Sequence, residues 1–232
     1  MSAALPWLPQ GTVYGALLNF RREWDLWAPQ MTEAPYKAAP QAPVLYIKTA
    51  NTFAPCGAAI AVPDEVDVGA TLGLVIGGFE EKLPPALGES AQAATKKEAG
   101  GLHRIAGCVL LNDLSLPHAS YYRPPIKFRN RDGFLGCGPV LQAVPDLSTL
   151  ALELRINGTL AQRIELSTLV RDAATLLRDV SEFMTLQAGD VLMLGTDCLP
   201  DGTRPRAKAG DRIGVGAAGC ARLVHTLVKD AA

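Results

Sequence analysis

The run VDVGATLGLVIGG, Val66 to Gly78, constrains this chain more than any other stretch. Its second half crowds Leu72, Leu74, Val75 and Ile76 together, which reads as a strand buried within a sheet and ended by Gly77 and Gly78. Its first half poses a question, because Gly69, Ala70 and Thr71 stand there while the chain further on is built around an acid.

The neighbouring segments extend the β pattern. VLYIKTANTF is rich in β-branched and aromatic residues, and CGAAIAVPDEV leads into the Val66 run through a turn at Pro63-Asp64. IAGCVLLNDLS, from Ile105 to Ser115, returns as another buried strand. LELRINGTLAQRIE is a hairpin closed by Asn157-Gly158, since a type I′ turn needs positive φ at both central residues. AGDVLMLG and AGDRIGVG each feed a short apolar strand from a Gly-Asp turn.

Helical signals are fewer. Leu169, Val170, Ala173, Leu176, Leu177, Val180, Phe183 and Met184 share one face of a helix from Ser167, its expected N-cap, to Leu186. A second helix is expected over SAQAATKKEAGG, from Ser90 to Gly101. Residues 1–43 form an N-terminal segment: a strand in GTVYGALLNF, a turn region at Trp24 and Trp27, then a proline-rich passage. Residues 44–232 read as one structural unit. Many short strands, few helices and no β-α-β alternation define the class as α+β and β-rich, a mixed sheet curled into a barrel-like roll.

Composition narrows the partners. A 232-residue chain that is 48% apolar can bury a full core. Its net charge of −1 gives no electrostatic footprint for nucleic acid or an anionic membrane. The N-terminus has no positive leader region and the longest apolar run is far shorter than a membrane span, so a cytoplasmic location is expected. Five scattered cysteines without a C-x-x-C pair indicate neither a disulfide framework nor a zinc knuckle.

No phosphate-binding, dinucleotide, zincin or nucleophile-elbow motif occurs, and His103, His118 and His225 have no dyad spacing. What stands out is LLNDLSLPHASYYRPPIKFRNRDGFLGCGP, where a strand delivers Asp113 beside Arg123, Lys127, Arg129, Arg131 and Asp132. Two readings stand: an anion site, or a turn capped by Asp113 with the cations coating a solvated loop.

NDLS, the downstream Lys127-x-Arg129-x-x-Asp132-Gly-Phe with Gly138-Pro139, and Leu194-Gly195-Thr196 before the last Gly-Asp strand resemble the fumarylacetoacetate hydrolase family. PYKAAP and LPHASYYRPPIKFRNRDGF are most similar to the N-terminal half of a branch built from two related halves, either fused or as two subunits, which isomerises and decarboxylates intermediates of 4-hydroxyphenylacetate breakdown. The resemblance runs from about Gly11 to the C-terminus. It implies a Mg²⁺ or Mn²⁺ site made by two glutamates of an E-x-E strand and the aspartate of N-D-x-S, acting on a dicarboxylic 2-oxo or 2-enol acid.

Set against that pattern, Asp113 is the one remaining ligand, and Gly69 and Thr71 occupy the positions of the missing carboxylates. Asp67, on the same strand face, is a conceivable replacement. Glu23 stands where the family has its lid histidine, and Arg129 where it has a lysine, a cation that still holds a carboxylate but is a poor base. The resemblance leaves Arg123, Lys127, Arg129 and Thr196 as substrate-binding candidates, Gly195-Thr196 lying in the family against the substrate carboxylate. One carboxylate holds a hard divalent ion poorly, so no tightly bound metal and no confident catalytic residue is expected. The expected role is a subunit paired with a metal-bearing sibling or with itself; a self-sufficient metal enzyme and a dicarboxylate-binding pseudoenzyme are the alternatives.

Overall fold

The computed structural model describes residues 6–79, 103–118, 126–142 and 144–230. Thirteen strands and three α-helices lie among them. The strands are β1 (Val13–Leu17), β2 (Val44–Lys48), β3 (Phe53–Pro55), β4 (Ala59–Val62), β5 (Val66–Phe79), β6 (His103–Ser115) and β7 (Leu135–Leu141). After them come β8 (Ala151–Ile156), β9 (Thr159–Glu165), β10 (Val191–Met193), β11 (Arg206–Ala207), β12 (Arg212–Ala217) and β13 (Leu223–Lys229). The helices are α1 (Arg21–Met31), α2 (Ile126–Arg129) and α3 (Ala173–Ser181).

The first sheet is mixed and runs β2-β1-β10-β5-β6-β7-β3, with β11 paired to the start of β5; the second runs β4-β13-β12-β8-β9. β5 explains the shape. Its even-numbered residues Val66 through Ile76 are buried in the core shared with the second sheet, beside Leu152, Leu154, Ile213, Val215 and Leu227. The odd-numbered positions point the other way, where Val75 joins Val13, Val109, Leu111, Val191 and Met193 in a separate apolar cluster on the concave side. Gly73 is small because a Cβ there would lie 2.6 Å from Val191 Cγ1 and 2.8 Å from Leu111 Cδ1. The sheet therefore curls tightly around this face into a half-barrel.

The Asn157-Gly158 turn forms as expected, with φ of 52° and 83° and Ile156 paired to Thr159. Two expectations are corrected. The Trp24/Trp27 region is helix α1, not a turn; it starts without a side-chain cap and contains Pro29, so it lacked the usual boundary signals. The amphipathic helix expected from Ser167 to Leu186 is shorter than its periodicity: Leu166–Thr168 is a 3₁₀ turn, and α3 is capped by Asp172, which accepts from Thr175 N–H, rather than by Ser167. Ala173, Leu176, Leu177 and Val180 are its buried face, while Phe183 lies beyond its end and is exposed. The helix expected over 90–101 falls outside the described residues.

Candidate functional site: a buried carboxylate neutralised by the chain

Asp113 lies on the concave face of β6, directly across from Gly69 on β5. It is 3% exposed, and its surroundings are cationic. Lys48 Nζ lies 2.8 Å from Oδ1 and Arg129 Nη1 3.1 Å from Oδ2, while the Tyr46 hydroxyl donates to Oδ2. The Lys48 ammonium also donates to the carbonyls of Leu114 at 3.2 Å and Arg129 at 2.5 Å. The Arg129 guanidinium lies 4.5 Å from the centre of the Tyr46 ring.

Period-two alternation puts Tyr46 and Lys48 on one face of β2, and β1 makes room for them. Gly15 pairs with Tyr46, and a Cβ on Gly15 would sit 2.2 Å from the ring. Arg129 ends α2, whose start lies close to β6 in the chain, and Phe128 O accepts from Leu116 N–H. Burial by itself would push the Asp113 carboxyl up, but Lys48 and Arg129 outweigh it and hold the group below the ordinary carboxylate range. Burial pulls the Lys48 amine down, and Asp113 opposes that pull. Burial and then Asp113 raise the Tyr46 phenol well above its usual value, so it stays a proton donor.

The remaining positions from the sequence fall around this cluster. Gly69 and Thr71 sit on its face of β5, and a Cβ on Gly69 would meet Thr196 Cγ2 at 2.6 Å, so the Thr196 methyl fills the space beside Asp113. Thr196 is buried, and its hydroxyl accepts from Arg204 Nη1 at 2.5 Å. Arg204 Nη2 in turn donates to Glu23 on α1 at 2.6 Å. Asp67, the conceivable substitute ligand, pairs with Arg206 at 3.1 Å. Lys127 is exposed, and exposed Asp132 accepts from Asn51 Nδ2 at 2.7 Å. Arg123 lies outside the described residues. Of the sequence candidates, the structure thus joins Asp113 and Arg129 directly and sets Thr196 beside them.

Sequence reasoning missed Tyr46, Lys48 and Arg204. A lysine at an inward position of an otherwise apolar strand was the signal for Lys48, because a buried amine requires an anionic partner. Arg204, which donates to Thr196, also lines a pocket of about 500 Å³ whose walls include Glu23, Trp27, Asp67, His118 and Arg206.

The donor set does not fit a divalent cation. Both Asp113 oxygens face cationic or phenolic hydrogens, positions 69 and 71 carry no carboxylate, and no group of three or more His, Cys, Asp or Glu could hold a metal among the described residues. Nor is any described helix long and apolar enough to cross a membrane.

Comparison with known proteins agrees with this architecture. The family model for the fumarylacetoacetate (FAA) hydrolase C-terminal domain matches residues 12–228. The 4-hydroxyphenylacetate degradation bifunctional isomerase/decarboxylase of Escherichia coli is 37% identical over 223 residues, which is 95% of this chain and 48% of that protein. The protein of the same description from Salmonella dublin is 35% identical over the same span. The chain thus spans about half the length of these curated relatives. Among solved structures, fumarylpyruvate hydrolase from Pseudomonas aeruginosa, in complex with Mn²⁺ and pyruvate, superposes with a TM-score of 0.70 at 20% identity, covering 99% of this chain and 94% of that one. By sequence and by fold, the chain belongs to the fumarylacetoacetate hydrolase family.

Proposed function

We propose that this chain is the metal-free half of a two-part isomerase/decarboxylase of 4-hydroxyphenylacetate breakdown, acting beside a metal-bearing sibling. The substrate class is a dicarboxylic or tricarboxylic 2-oxo or 2-enol acid such as 2-hydroxyhepta-2,4-diene-1,7-dioate. In such chemistry the ion supplies Lewis acidity to an enolate. The observation that carries the reading is the state of Asp113: inside the protein its carboxylate is already neutralised by Lys48 and Arg129, so a divalent ion would have to approach it against two cations. The match to about half of each bifunctional relative supports a partnership with a second half.

The test is turnover of that dienedioate, followed by its ultraviolet absorbance, with Mn²⁺ present. We expect no turnover by the purified chain and recovery when a metal-bearing half is added. Turnover by this chain alone, at the rate of a metal-bearing family member, would refute the proposal.

A second reading is ligand holding without chemistry in the pocket, whose wall carries Arg204 and Arg206, each paired with a pocket carboxylate, Glu23 and Asp67, for which a dicarboxylate would have to exchange. Equilibrium dialysis of dicarboxylates in the presence of chelator separates the two: binding without turnover even after the sibling is added supports the second.

A further inference from the structure

We infer that the chain carries its own resident cation at the centre of the half-barrel: the Lys48 ammonium takes the place a divalent ion would need, and the site is closed to metals. This deepens the metal-free reading above. A hard divalent ion requires several anionic oxygens and room for them. Here one carboxylate oxygen and two carbonyl oxygens, those of Leu114 and Arg129, lie within 3.2 Å of Lys48 Nζ, and its side chain is fully buried. A compact ammonium has three donors to direct at such an oxygen set.

The second carboxylate oxygen is closed independently. Arg129 approaches it at 3.1 Å and Tyr46 donates to it, with the tyrosine ring fixed between the guanidinium and Gly15. On the third side the Thr196 methyl fills the volume next to Gly69. A metal arriving at Asp113 would meet two fixed positive charges and one carboxylate, and repulsion from the cations outweighs what that carboxylate offers. Loss of the acids at 69 and 71 therefore accompanies a filled site rather than a vacated one.

Two measurements on the chelator-stripped wild-type protein test this. In the first, Mn²⁺ is titrated in and the free ion is counted by electron paramagnetic resonance; we expect the ion to stay free through the millimolar range. In the second, native lysines are acylated and read by mass spectrometry. Lys48 is expected to stay unmodified while exposed Lys37, Lys127, Lys208 and Lys229 react, and to react once the chain is unfolded in urea. Stoichiometric Mn²⁺ binding, or acylation of Lys48 in the folded chain as fast as the exposed lysines, would overturn the inference. Neither readout involves turnover or a sibling, so a failed reconstitution would count against the proposed function alone.

Discussion

Lys48 Nζ and Asp113 Oδ1 are 2.8 Å apart although their strands, β2 and β6, are four places removed in the sheet. Neighbouring strands lie about 4.8 Å apart, so a flat sheet would separate the two by roughly 19 Å. The ion pair exists because the sheet curls, and it ties the edge strand to the centre.

Removing one member of this cluster should therefore be felt through the whole fold. Among the described residues, Lys48→Met leaves buried Asp113 paired with Arg129, and Asp113→Asn removes the anion shared by buried Lys48 and Arg129. Breaking a buried pair costs about 3–5 kcal/mol. Urea unfolding is expected to show a loss of that order for both variants and the larger loss for Asp113→Asn. A change below about 1 kcal/mol, the scale of an exposed pair, would show that the cluster is not buried as described.

The glycine opposite Asn112 yields a second expectation. Gly136 on β7 faces His225 of β13, and a Cβ on it would lie 1.9 Å from Nε2 of the ring. His225 is 1% exposed and packed between the two sheets, so it has nowhere to move. Gly136→Ala should destabilise by about 1–3 kcal/mol or more, as overpacking does. Pairing it with His225→Ala should recover part of that loss, read as coupling in a double-mutant cycle.

His225 also sets an acid limit on stability. Burial lowers its pKa to about 4, and among the described residues neither ring nitrogen has a hydrogen-bond partner to support a proton. The unfolded chain takes up the proton near the ordinary value of about 6.5. Because the folded pKa is the lower one, stability is complete above about 6.5 and falls as pH drops from there toward 4, by roughly 3 kcal/mol in all. Unfolding free energies measured across this window should flatten in His225→Phe. An unchanged slope would assign the acid limb to other groups.

These effects mark how much could be read from the amino acids. Strands were legible because β-branched and alternating residues recur, and the Asn157-Gly158 hairpin because only certain residues accept its backbone angles. The resemblance drew attention to Asp113, Gly69 and Thr71, which the structure brings to one face of the β5–β6 pair. Lys48 and Tyr46 were not, since the 65 or so residues between β2 and the end of β6 are bridged by sheet curvature, which no local pattern encodes. Helix α1 was hidden by its uncapped start and its proline. Its anchors, Glu23 to Arg204 and Arg22 to Asp197, join residues about 175 or more positions apart.

Those anchors predict local behaviour. The Glu23–Arg204 pair is largely buried, at 5% and 11% side-chain exposure, and connects α1 to the segment carrying Thr196. Glu23→Gln should speed amide exchange in α1 while leaving β5 and β6 protected, because the strands are held by their own ladder. Equal acceleration in both places would indicate that the pair supports the fold globally.

The last expectation concerns placing a second acid at the site. Gly69→Glu places a carboxylate at the position facing Asp113, yet its Cβ would stand 2.6 Å from Thr196 Cγ2 and 3.1 Å from Thr196 Cβ. Rotating Thr196 away would break its contact with Arg204. The new carboxylate would also face Lys48 and Arg129, which attract it as an ion-pair partner instead of leaving it to a metal. The variant is expected to be less stable than wild type by about 1–3 kcal/mol and still to leave Mn²⁺ free in a titration. Replacing Lys48 by Met in the same chain removes the competing ammonium, so any Mn²⁺ binding should emerge only in that double variant. Binding by Gly69→Glu alone would mean that the lack of a carboxylate at position 69, and not the resident cations, keeps metal out.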